Sequence, residues 1–93
     1  MLPYTIDDPI TEPLTGAVEV TIDFGDDGKR WCSFATPQVL ASVGDWVDGT
    51  RVRVHHGAPH MIVVSELNEE IIDRVLRRLH AEGQLEAHTT PLI

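Results

Sequence analysis

The chain has one cysteine, Cys32, and no lysine or arginine before Lys29. A single cysteine excludes an intrachain disulfide and any zinc site built from cysteines alone, and it fits a reducing compartment. Aromatic residues make up only 5% of the chain, so Trp31 and Trp46 stand out as large anchors. The longest unbroken apolar run is Met61 to Val64, far short of the ~20 residues of a membrane-spanning helix. The opening stretch MLPYTIDDPI has neither a basic residue nor an apolar run, so it does not read as a secretory signal. The expectation is a soluble cytoplasmic protein. No GxSxG, P-loop, GxGxxG or HExxH pattern occurs. Those absences remove the positive case for each chemistry without excluding an enzyme.

What the chain does have is acid, and it is unevenly placed. Seven acids (Asp7, Asp8, Glu12, Glu19, Asp23, Asp26, Asp27) lie before Lys29 with no base among them, which accounts for −7 of the net −8. Such asymmetry points to a surface that meets a basic partner. It argues against nucleic acid, because non-specific affinity for phosphates needs many cationic contacts. Glu69, Glu70 and Asp73 interrupt the group Arg74, Arg77 and Arg78, and these with Arg51 and Arg53 read as a solvated face and salt pairs and not as a nucleic-acid patch.

At 93 residues and 42% hydrophobic content, the chain fits one folded domain with room for one sheet and one or two helices. Residues 1–15 read as an extended proline-rich arm, since Pro3, Pro9 and Pro13 remove amide donors and favour extended geometry before them. Residues 16–93 read as a single α+β domain. Ala17 to Phe24 alternates, with Val18, Val20, Ile22 and Phe24 on one side and Glu19, Thr21 and Asp23 on the other, the period of a half-buried strand. Residues 25–28 read as a hairpin turn, and Arg30 to Ala35 as a second strand. Thr36-Pro37 is a helix start, and Gly44 a stop. Residues 45–49 read as a turn. Thr50 to His56 is expected as a third strand with Val52 and Val54 inward, and His60 to Glu66 as a fourth. Asn68 caps the long helix, whose apolar stripe is Ile71, Ile72, Val75, Leu76 and Leu79, ending at Gly83. Leu85 to His88 is expected as a short fifth strand. The order β-β-α-β-β-α-β favours an antiparallel sheet of four or five strands with the long C-terminal helix across one face.

Three histidines, His55, His56 and His60, fall within six residues around a turn. Histidine is the commonest ligand for zinc and related transition metals. A metal-dependent or acid–base enzyme is therefore one reading, and a homodimeric small-molecule-binding domain another. Two histidines facing across a turn are too few for a closed site, so half-exposed turn histidines are the plainer expectation. Cys32 reads as a small buried hydrophobe, since nothing in the sequence places a histidine beside it.

The favoured expectation is a small acidic interaction domain rather than an enzyme: an inhibitor, an immunity or antitoxin-like protein, or an accessory subunit. It would need no cofactor and bind a basic protein through Glu19, Asp23, Asp26, Asp27 and Trp46. Association with a second copy of the chain is also compatible with the apolar arm.

Overall fold

The N-terminal arm enters the sheet as strand β1, Tyr4–Ile6, in a computed structural model that describes residues 1–42, 45–54 and 58–92. β1 runs antiparallel to β2 (Ala17–Asp23), with Tyr4 opposite Ile22 and Ile6 opposite Val20. Between them the chain turns at Glu12, whose carbonyl accepts from the Gly16 amide at 2.9 Å. A Cβ at position 16 would meet that same carbonyl at 2.8 Å, so only glycine fits without displacement.

β2 pairs antiparallel with β3 (Lys29–Ala35) along its full length, from Ala17 opposite Ala35 to Asp23 opposite Lys29. The connection is a 3-10 turn, Gly25–Asp27, closed by the Phe24 amide on the Gly28 carbonyl at 2.9 Å. Helix α1, Pro37–Ser42, follows at once, and the Thr36 hydroxyl accepts from the Val39 amide, as an N-cap does. The expected stop at Gly44 lies outside the described residues.

The region after α1 departs from expectation. Residues 45–49 do not form only a turn, and the described part of the expected third strand, residues 50–54, does not join the main sheet; His55 and His56 lie outside the described residues. Instead β4 (Asp45–Trp46) and β5 (Arg53–Val54) pair with each other as a separate two-stranded sheet. The Val47 amide donates to the Val52 carbonyl and the Thr50 amide to the Val47 carbonyl, so the chain reverses within residues 48–51. Val52 is therefore 61% exposed rather than inward, and Arg51 and Arg53 are not on the main sheet.

β6, Met61–Val63, returns to the main sheet beside β3. This pair is parallel, because the intervening helix and hairpin carry the chain back to the same end. Helix α2, Glu69–Ala81, then crosses the sheet. Its Asn68 cap accepts from the Ile71 amide at 2.8 Å, and Glu69 and Glu70 occupy the positive end of the helix dipole. At its far end Gln84 donates to the Leu79 carbonyl and Gly83 to that of His80. This is a Schellman closure, which Gly83 allows at φ +68°.

Leu85 to His88 is not a strand. Glu86–His88 is a 3-10 turn that buries Leu85, and the last strand is β7, Thr90–Pro91, beside β3. The proline at position 91 limits β7 to a short edge piece. The molecule is thus a small α+β domain with strand order β1-β2-β3-β6, β7 joining β3 next to β6, and one long helix. Its core is Val18, Val20, Ile22, Cys32 and Phe34 from the sheet against Ile72 and Leu76 of α2, closed by Leu67 and Leu85.

Tyr4 ties the arm to the helix. Its hydroxyl donates to the Asp73 carboxylate at 2.7 Å, and Arg77 reaches the same carboxylate at 2.7 Å. The Tyr4 hydrogen bond, then that of Arg77, holds the Asp73 carboxyl below its ordinary range, and the bond to Asp73 pushes the Tyr4 phenol up. A lowered carboxyl contributes stability above its unfolded value, near 4, and loses it as pH falls through its folded value. A raised phenol contributes below about 10 and loses it as pH rises further. Tyr4→Phe is therefore expected to lower the thermal midpoint at neutral pH, with the deficit shrinking at both extremes. Thermal melts of both proteins from pH 2 to pH 11 check this. A deficit independent of pH would show that the hydroxyl acts only through packing.

Candidate functional site

Direct pairing sorts the two long strands into faces. Val18 opposite Phe34 and Val20 opposite Cys32 point toward α2. The opposite face carries Glu19 beside Ser33, Thr21 beside Trp31, and Asp23 beside Lys29. β6 continues this face with Met61 beside Ser33 and Val63 beside Ala35. Val63 is 49% exposed, and Glu19, Asp23 and Lys29 are also exposed. Trp31, Thr21, Ser33 and Met61 are half-buried.

Trp31 is the centre of this face. The His60 ring packs on it with centroids 4.5 Å apart and planes inclined by 57°. His60 is held there because its carbonyl accepts from the Ser33 amide as β6 begins. This histidine thus supports an aromatic surface. His55 and His56 lie outside the described residues. Among the described residues, no group of three or more His, Cys, Asp or Glu converges to hold a metal ion.

Acids frame the same face. The Thr21 hydroxyl donates to the Asp7 carboxylate at 2.6 Å, which brings the arm over β2. Asp8 takes over the ladder where the arm peels away, accepting from the Glu19 amide at 3.0 Å. Asp23 accepts from the Gly25 amide at 2.8 Å, so one of its oxygens shapes the turn. Asp26 and Asp27 are exposed at the tip of that turn. Asp7, Glu19, Asp23, Asp26 and Asp27 are therefore gathered by one strand pair and its turn.

The sequence-level set is only partly brought together. Glu19 and Asp23 share a face, and Asp26 and Asp27 extend it. Trp46 belongs to the separate β4–β5 sheet, where it is 53% exposed with the Arg53 guanidinium 4.1 Å from its ring centre. Trp31 and Asp7 were not in that set. The signal for Trp31 was present: if Cys32 and Phe34 face inward, Trp31 must face outward. Asp7 carried no such signal, because its place depends on how the arm pairs.

Cys32 is fully buried, and burial pushes its thiol up to about 12. A thiol so protonated and enclosed is a core residue and not a nucleophile. The hollow between the arm and α1, about 350 Å³, is lined by Pro9, Ile10, Thr15, Val18, Val39 and Leu67 among others. Among its described lining residues Glu12 is the one ionisable side chain, so they supply no acid–base pair.

Neither protein-family models, curated proteins nor solved structures yield a match to this chain. No described helix is long and apolar enough to cross a membrane.

Proposed function

We propose that this protein is a non-enzymatic interaction domain that binds a basic protein partner through the open face of its sheet. The observation that carries the reading is the half-exposed Trp31, backed by His60 and edged by Asp7, Glu19 and Asp23. An aromatic centre with a charged rim is the usual anatomy of a protein-binding patch. The rim raises the encounter rate with a cationic surface, and the aromatic centre supplies affinity once water is expelled. An inhibitor, an antitoxin-like protein and an accessory subunit all fit this anatomy.

The test is recovery of partners from the source cell with the wild type, Glu19→Arg with Asp23→Arg, and Trp31→Ala. The wild type is expected to retain a basic protein at low salt. The double reversal should slow its association about tenfold or more, and Trp31→Ala should speed its dissociation. If all three retain the same proteins equally, the face is only a solvated surface and the reading fails.

A further inference from the structure

We infer that the open sheet face receives an arginine side chain of its partner, the guanidinium lying on the Trp31 ring within reach of Glu19 and Asp23. This inference rests on the proposed function and names the chemical group that the face selects. Trp31 stands directly opposite Thr21, with Glu19 and Asp23 two positions to either side of Thr21 on the same face. Diagonal neighbours on one sheet face lie about 7–8 Å apart, within reach of a long side chain. His60 packs on Trp31 from the β6 side, where its carbonyl accepts from the Ser33 amide. The acids stand on the other side, along β2. The ring between them is half-buried.

Charge and shape together select the group. On this face Asp7, Glu19 and Asp23 stand against one base, Lys29, so the excess charge is negative. Asp7 accepts from the Thr21 hydroxyl, and Asp23 uses its Oδ1 on the Gly25 amide, which leaves its Oδ2. Glu19 is exposed and has no ion-pair partner among the described residues. A cation within about 6 Å of an aromatic ring centre is attracted to the ring face. A guanidinium is flat and weakly hydrated, so it stacks on an indole while its N–H groups reach sideways to a carboxylate. An ammonium is a compact, strongly hydrated charge and does neither as well. The chain makes the same pairing at its other tryptophan, where the Arg53 guanidinium lies 4.1 Å from the Trp46 ring centre.

The experiment titrates the full chain with N-acetyl-arginine amide, and with the same capped forms of lysine and citrulline, following the two indole N–H signals by NMR. Citrulline keeps the flat group without its charge, and lysine keeps the charge without the flat group. The Trp31 signal is expected to shift and saturate with arginine at a Kd of about 1 mM or weaker, the scale of so small a ligand. Lysine should bind about threefold more weakly or worse, the worth of a guanidinium stacked at an exposed ring, and citrulline should leave the signal in place. Glu19→Gln with Asp23→Asn retains the reporting indole and should weaken arginine binding about threefold or more. The Trp46 indole, already under Arg53, should move little. Equal binding of lysine and arginine overturns the inference, because the face would then read charge alone. So does an equal response of both indoles, or a Trp31 signal that arginine leaves in place. Recovery of a basic protein alongside any of these results leaves the proposed function standing. Saturation by arginine with no basic protein recovered keeps the site and fails that reading instead.

Discussion

Replacing Phe34 with alanine is expected to destabilise the fold by about 3–5 kcal/mol. Phe34 is fully buried and is the largest fully buried side chain among the described residues. It stands opposite Val18 on one side of β3 and Ile62 on the other, in the centre of the sheet. Truncation removes apolar contacts with both neighbours and leaves a cavity that three strands held in fixed register cannot close. A chain of this size has about 5–14 kcal/mol of total stability, so the variant sits at or near the unfolding threshold. Urea denaturation followed by the two tryptophans measures it. With a slope of about 1–2 kcal/mol per molar, the midpoint should fall by about 2 M or more. Phe34→Leu should recover most of the loss. A loss below about 1 kcal/mol would mean that Phe34 is not the keystone its burial implies.

The second large effect is expected at Arg30, whose guanidinium holds the C-terminal segment. Its Nε donates to the Thr89 hydroxyl at 2.8 Å, and one terminal nitrogen donates to the Thr89 carbonyl at 2.9 Å and the Glu86 carbonyl at 3.3 Å. Thr89 is buried, and its hydroxyl in turn donates to the Glu86 carbonyl at 3.0 Å. Arg30→Ala removes a charged donor shared by three acceptors, one of them a buried hydroxyl, and should cost about 1.5–3 kcal/mol. Arg30→Lys should recover little, because one ammonium cannot reproduce the planar fork. Amide exchange locates the damage: protection should fall first at Thr90 and Leu92, whose pairing with β3 this network supports. Uniform loss across α2 and β2 instead would show that Arg30 acts on the whole core.

Local rules made the two long strands and α2 readable. Val18, Val20 and Ile22 alternate with acids, so both strand and inward face follow from period alone. Asn68, Glu69 and Glu70 announce the start of α2, and Gly83 its end. The ion pairs Glu70–Arg74 and Asp73–Arg77 form at the spacing that helix geometry dictates. Thr50 to His56 misled because Arg51, Val52, Arg53 and Val54 alternate as a sheet strand does. Alternation says that a residue is extended; it does not say which sheet takes it. Asp45 and Trp46 are extended partners too close in sequence to miss, and they captured β5 as a hairpin. Leu85 misled for a related reason: it is buried, as a strand residue would be, but by a 3-10 turn beneath Arg30. Of the candidate site, the acids on β2 were legible and the outward direction of Trp31 could be read from Cys32 and Phe34, but the register that gathers them with Asp7 could not. Trp31 meets Thr21 by pairing, and Asp7 joins through the arm, both set by strand register.

The Arg30–Thr89 and Tyr4–Asp73 links join residues 59 and 69 positions apart. During synthesis the β2–β3 hairpin is available early, since it needs only neighbouring chain. β1 must wait for α2 before its tyrosine has a partner, and β3 keeps an open edge until residues 90–92 emerge. Long-range closures of this kind slow folding. The apolar side of β2 stays uncovered until α2 emerges to pack on it, so the nascent chain is most exposed to misassociation while the hairpin is out and the helix is not.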